Sequence, residues 1–168
     1  DQIAWAGSDA VEETTRLAEA AGAAVYGEIL QSNVAFPMEH DQWVAVSGAT
    51  ADGMRSVNDT DVLVRIGCST NTPTLGFTDP VVGPETTVVD VGVDTWELGK
   101  NDPADVSLVG EIEATLGALA DAVDSRVTDA ERERRLEAVR ATKRDRPAES
   151  TSTGPESDGR LSKTGLID

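Results

Sequence analysis

Along residues 1–125, short apolar runs alternate with longer stretches in which apolar positions recur every three or four residues. Ile3 to Ala6 is apolar and runs into Gly7-Ser8-Asp9, which predicts a strand, a tight turn and then a helix from about Ala10 to Ala21. In that helix Val11, Leu17, Ala18 and Ala21 share a stripe while Glu12, Glu13, Arg16 and Glu19 face away, so one side docks on a sheet. Asp9 is placed as the N-cap, and Gly22 as the residue that ends the helix. Ala23 to Tyr26 supplies the next strand and completes a β-α-β unit.

From Gly27 to Thr50 the periodicity lapses, with Phe36-Pro37 and Gly48 as breakers and a short helix expected around Ile29; Ala51 to Asn58 reads as another. Asp61 to Ile66 is an apolar run of the kind that forms a strand covered on both faces, and it is placed at the centre of the sheet. A surface loop follows to Pro84, broken by Pro73, Gly76, Pro80 and Gly83. Thr86 to Val91 is a further buried strand, Thr95 to Gly99 a single helical turn, and Val106 to Val109 a last strand. Gly110 opens a helix to about Val123, with Leu116, Leu119, Ala120 and Val123 as its apolar stripe. This rhythm predicts an α/β fold, a Rossmann-like doubly wound and mainly parallel sheet of about five to six strands with helices on both faces.

Beyond Asp124 the pattern changes. Asp129 to Arg146 is helix-permissive and heavily charged, with Leu136 and Val139 among its few apolar residues, and reads as a solvated connector on the surface. Pro147 to Gly159 is a Pro, Ser, Thr, Gly and acid linker that cannot bury a core and is expected to be disordered. Leu161 to Ile167 is apolar enough to begin a new element.

At 168 residues the chain has room for one domain and a tail, and a domain of about 125 residues buries roughly two-thirds of its unfolded surface. No apolar run approaches the ~20 residues that cross a bilayer, and no signal peptide is visible. Residues 1–125 hold 4 basic and 22 acidic side chains, whereas residues 126–168 hold 10 and 9. An acidic body of this kind repels phosphates, so nucleic acid is not an expected partner. Asp outnumbers Glu and lysine is confined to Lys100, Lys143 and Lys163, a pattern that resembles proteins working in molar salt, where a Debye length of about 3 Å screens the repulsion. Cys68 is the single cysteine, so no internal disulfide forms and a reducing cytoplasm fits.

Both Gly7-Ser8 and Gly67-Cys68-Ser69 fall at carboxyl ends of predicted strands, the edge on which open α/β sheets take ligands. Gly7, Ser8, Gly67, Cys68 and Ser69 are therefore the candidate nucleotide-binding residues. The plainer reading is that these glycines only make turns, since the first turn lacks the full G-x-G-x-x-G. His40, the one histidine, has no carboxylate or nucleophile placed by motif and reads as a turn residue rather than an acid-base catalyst. Cys68 reads as a small packed residue rather than a reactive thiol, because no basic neighbour in the sequence lowers its pKa. No carboxylate pair at metal or glycosidase spacing emerges.

Five fragments in order resemble the middle domain of the thiamine-diphosphate enzyme family that includes acetolactate synthase, pyruvate oxidase and benzoylformate decarboxylase. They are Ala6-Gly7-Ser8 followed by Leu17 to Val25; Phe36-Pro37-Met38-Glu39-His40; Thr60 to Gly67 after Gly48; Val89 to Lys100; and Ser107 to Glu111. The resemblance implies that residues 1–125 form the central domain, 126–146 a connector helix, 147–160 a flexible linker and 161–168 the start of a truncated cofactor-binding domain. It also implies a parent that uses thiamine diphosphate and Mg2+ on a 2-oxo acid, assembles as a homo-oligomer, usually a tetramer, and relies on N-terminal and C-terminal domains of the same chain. The family's Gly-Asp-Gly element with its later Asn, and its catalytic glutamate, have no counterpart here, so this segment is expected to be inert alone. FAD crosses this domain in acetolactate synthases, whose Arg-rich loop is replaced here by Cys68-Ser69-Thr70-Asn71. The rivals are a free-standing module for FAD, NAD or ADP, and an interaction protein that works through the charged helix.

Overall fold

A computed structural model describes residues 2–28, 33–47, 60–68, 82–100 and 102–145. The elements are α1 (Gln2–Ala6), α2 (Ser8–Ala21), β1 (Val25–Gly27), β2 (Trp43–Val46), β3 (Val62–Ile66), β4 (Thr87–Gly92), β5 (Val106–Val109), α3 (Ile112–Asp124) and α4 (Asp129–Asp145). The expected helices around Ile29 and at Ala51 to Asn58 lie outside the described residues, as do most of the loop before Pro84 and the linker after Arg146.

All described strand pairs are parallel: β1 with β2, and β3-β4-β5 in that order. The fold is α/β and Rossmann-like, as the alternation of elements requires. Within the three-stranded sheet β4 is central, not β3. Val62 and Val64 of β3 are accordingly exposed, whereas Val88, Asp90 and Val91 of β4 are buried.

The core gathers Ile3, Ala10, Val91, Ile112 and Leu116, with Val11, Leu17, Ile66, Val89, Leu108 and Leu119 packed around them. Burying Ile112 and Leu116 contributes about 1.5–3 kcal/mol each. Arg16 fixes α2 on α3, donating from Nη1 to Asp121 Oδ1 at 2.6 Å and from Nη2 to the Gly117 carbonyl at 3.1 Å. Helix α2 ends as expected: Gly22 is left-handed at φ 64, its N–H donates to Glu19 O, and Ala23 N–H donates to Ala18 O, a Schellman closure. Helix α3 is capped by Glu111, whose carboxylate accepts from the N–H groups of Glu113 and Ala114, so a negative charge sits at the positive end of the helix dipole.

Three further expectations are corrected. Ile3 to Ala6 is helical: a full strand there would put its alternate side chains on opposite faces, whereas one helical turn turns Ile3 inward against Ala10 and leaves Trp5 and Ala6 exposed. The N-cap of α2 is Gly7, with no side-chain cap bond, and Asp9 sits instead within the first turn. Trp43 to Val46 forms a strand in a region without readable periodicity; its neighbour Gln42 donates from Nε2 to Ala18 O and Ala23 O, which anchors the strand's start to the end of α2. The charged helix α4 is mostly exposed, with Val139 buried and with Arg132 and Arg135 donating to carbonyls of α2.

Candidate functional site

The carboxyl edge of the sheet is built where β3 and β4 end. Gly67 follows β3 with a left-handed φ of 56, which any residue with a Cβ would find strained. Its N–H donates to Val91 O at 2.8 Å and its carbonyl accepts from Gln2 N–H at 3.3 Å. The Gln2 side chain then crosses to β4, where its Oε1 accepts from Val93 N–H at 2.9 Å. A Cβ at Gly67 would lie 2.6 Å from Gln2 Cβ, and one at Gly92 would lie 3.1 Å from Gln2 Oε1. The edge is thus filled by the protein's own Gln2, held on both strand ends.

Of the candidate residues, Gly67 lies on this edge as expected, Cys68 is half-buried beside it, and Ser69 falls outside the described residues. Gly7 and Ser8 do not end a strand. They stand where α1 gives way to α2, five and six positions beyond Gln2, or about 7.5 to 9 Å along a helix axis. Gly7 has φ 107, and nothing lies within 4 Å of the point a Cβ would occupy there, while Ser8 Oγ donates to Asp9 Oδ1 in an exposed position. The two turns are therefore connected through α1 but do not converge on one cradle.

His40 is a joint between loop and helix. Its Nδ1 accepts from Gln42 N–H at 3.2 Å, which leaves Nε2 to carry the proton and donate to Glu19 Oε1 at 3.2 Å. Phe36 meets the imidazole edge-on at 5.3 Å and stacks on Trp43 at 6.3 Å, so the Pro37-x-x-His40 turn is welded to β2 and α2. These contacts hold the ring in the turn, and the one carboxylate that they bring to it is that of Glu19 on α2.

The most developed polar cluster is one that the sequence pattern does not single out. Arg65 and Asp90 are register partners on β3 and β4, 4% and 1% exposed. Arg65 Nε meets Asp90 Oδ1 at 2.5 Å and Nη2 meets Oδ2 at 2.8 Å, a two-pronged pairing. Gly99 N–H donates to the same Oδ2 at 2.7 Å, and Asp102 accepts from Arg65 through both its carboxylate and its carbonyl. The cluster ties the turn after β4 to the face of the sheet. Its signal in the sequence is Arg65 within the apolar run VLVRI and Asp90 within TTVVDV.

Among the described residues no group of three or more His, Cys, Asp or Glu side chains is placed to hold a metal ion, and no helix is long and apolar enough to cross a membrane. A shallow groove of about 420 Å³ runs between β5 and α3, lined by Leu108, Ala114, Thr115, Ala118 and Leu119. It offers one hydroxyl and no charge. A diphosphate with its divalent cation needs carboxylate or carbonyl oxygens around the metal, and the described residues do not fit that demand.

The described residues thus form a parallel α/β body in which Gln2 fills the carboxyl ends of β3 and β4. The model of the family "Thiamine pyrophosphate enzyme, central domain" matches residues 3–119. The chain belongs to this family. An acetolactate synthase of Mycobacterium avium is 30% identical over 115 residues, covering 67% of this chain and 18% of the relative. An acetolactate synthase of Mycobacterium bovis is 31% identical over 113 residues, with 66% and 18% covered. Among solved structures, the thiamine diphosphate-dependent 4-hydroxybenzoylformate decarboxylase of Rhodococcus jostii RHA1 superposes with a TM-score of 0.61 at 22% identity, over 70% of this chain and 23% of that one. The chain thus spans about a fifth of the length of the proteins it resembles, and it is a central domain of the thiamine-diphosphate enzyme type.

Proposed function

We propose that this central domain works as a spacer within a longer polypeptide that uses thiamine diphosphate, with Mg2+, to transform a 2-oxo acid, and that the groups clasping the cofactor lie in N-terminal and C-terminal domains of that polypeptide. Residues 1–125 are the spacer, 126–146 the connecting helix, 147–160 the linker and 161–168 the opening of the next domain. The observation that carries the reading is the match over residues 3–119, combined with relatives of which the matched part is 18%.

The surface supports it. Trp5 and Trp96 are 71% and 77% exposed, and Val93 is exposed as well. Gln2 and Val93 are bonded to each other, and each indole follows one of them by three positions, so both are tethered to the same end of the sheet. Bare indoles tethered in this way are a surface for packing against further protein. A nucleotide-binding module is not favoured, because Gln2 occupies the edge and its bond to Val93 uses a backbone N–H that a phosphate would need. The acid excess of the body, with screening by molar salt in a cytoplasmic setting, completes the proposal. Decarboxylation of pyruvate and benzoylformate, followed as CO2 release with thiamine diphosphate and Mg2+, tests it: turnover is expected from a polypeptide that includes the flanking domains and not from the 168-residue chain. Turnover by the 168-residue chain would overturn it.

A further inference from the structure

The match to the family stops at residue 119, ten positions before α4 begins, yet α4 is bonded to the body of the domain along its length. Arg132, Arg135, Val139 and Lys143 recur at i, i+3, i+7 and i+11, which places them on one stripe of the helix. Each meets the domain. Arg132 Nε donates to Ala20 O at 3.2 Å, Arg135 Nη1 to Ala21 O at 2.9 Å, and Lys143 Nζ to Asp41 O at 2.8 Å, while Val139 is buried between these anchors. Ala20 and Ala21 are in the last turn of α2, where carbonyls lack helical partners and the dipole is negative, so cations are the groups that bind there best.

The opposite face is different in kind. Glu133, Glu137, Arg140 and Arg144 pair with one another, at 2.7 to 3.3 Å, in solvent. The start of the helix is closed by a capping box, in which Glu131 accepts from Thr128 N–H and hydroxyl while Thr128 Oγ1 accepts from Glu131 N–H. Gly22 has a second role here. A Cβ at that position would lie 2.9 Å from Arg132 O, so the glycine that closes α2 also lets the strap approach.

From these contacts we infer that α4 is a strap belonging to the domain, clamped at its first turns on the end of α2 and at its last turn on the approach to β2. It fixes the direction in which the chain continues after Asp145, beside the β1–β2 flank. A freely jointed connector would have no such preference. The basic inner stripe against a body with 22 acidic and 4 basic side chains supplies the charge complementarity. The strap stands on this chain's own contacts, so it survives or fails independently of the cofactor proposal.

Hydrogen exchange followed by mass spectrometry on the 168-residue chain tests it. Amides of residues 133–145 are expected to be protected well beyond an isolated 17-residue helix, which is marginal in water. The double substitution Arg132→Gln with Arg135→Gln is expected to lower that protection about tenfold while β3, β4 and β5 keep theirs. Arg140→Gln with Arg144→Gln, on the outer face, is expected to change it little. Fast exchange of α4 in the unmodified chain would overturn the inference whether or not the variants fold, and so would equal losses from inner-face and outer-face substitutions.

Discussion

Replacing Asp90 by Asn keeps the shape of the side chain and removes the anion that Arg65 is buried to meet. Asp90 serves three donors, Arg65 Nε and Nη2 and the N–H of Gly99. An amide has one oxygen, so at least one of these donors would face an NH2 group instead of an acceptor. Of the two carboxylates bonded to Arg65, Asp102 alone would remain, standing off at 3.4 Å. Breaking one side of a buried ion pair costs about 3–5 kcal/mol, a large share of the roughly 5–15 kcal/mol that holds a domain folded. With a urea dependence of about 1.5 kcal/mol per molar, the unfolding midpoint of Asp90→Asn is expected to fall by roughly 2–3 M. The double variant Arg65→Met with Asp90→Leu removes both charges and leaves Gly99 N–H as the main orphan, at a cost of about 1–2 kcal/mol, so it should unfold later than the single variant. Urea titrations followed by tryptophan fluorescence measure both. A loss below about 1 kcal/mol for Asp90→Asn, or a double variant weaker than the single, would refute the view that this pair is strong only as a pair.

The remaining predictions concern the sheet edge and the strap. Gly67→Ala must enter the left-handed region and also displace Gln2, whereas Gly99→Ala, at φ 68 with its nearest neighbour at 3.7 Å, meets the dihedral penalty alone. Gly99→Ala is expected to cost about 1–2 kcal/mol and Gly67→Ala measurably more, read from thermal unfolding; equal losses would mean that Gln2 does not fill the edge. Glu131 is held below its ordinary value of 4.5 by the Thr128 N–H and hydroxyl, and Glu137 by the guanidinium groups of Arg144 and Arg140. Because both are lowered on folding, their contribution is complete above pH 4.5 and is lost as the pH falls through their lower folded values. Carboxyl NMR titration should place both midpoints below 4.5, and Thr128→Ala, which removes the hydroxyl but keeps the N–H, should raise Glu131 part of the way while leaving Glu137 in place; an unmoved Glu131 would contradict the hydroxyl's share in holding it down.

Much of this fold is legible in the sequence because burial leaves a period behind. The run at Thr87 to Gly92 and the stripe of Leu116 and Ala120 are each forced by a side that faces the core, whereas Val62 to Ile66 is legible from its β-branched and apolar residues although Val62 and Val64 are exposed. Trp43 to Val46 is not legible, since a four-residue strand carries two periods at most and its place is set by Gln42 bonding to distant carbonyls. Ile3 to Ala6 misleads for the same reason of length: so short a run fits either period, and the choice rests on Gln2 reaching Gly67 and Val93. Strand order is likewise a property of the tertiary structure, so an apolar run cannot say whether β3 is central. Within the candidate site, Gly67 is found from its place after a strand, but the side chain that fills the edge comes from a residue 65 positions earlier. The strap escapes a reading by period because its anchors are charged. A helix held by arginines donating to carbonyls shows almost no apolar stripe, and only Val139 marks the inward face.

That this domain spaces cofactor-binding neighbours without itself holding the cofactor is tested most directly by calorimetry of the 168-residue chain with thiamine diphosphate and Mg2+. No saturable heat is expected, because the described residues assemble no cation site and offer no open phosphate cradle. A stoichiometric binding isotherm in the micromolar range would contradict the account.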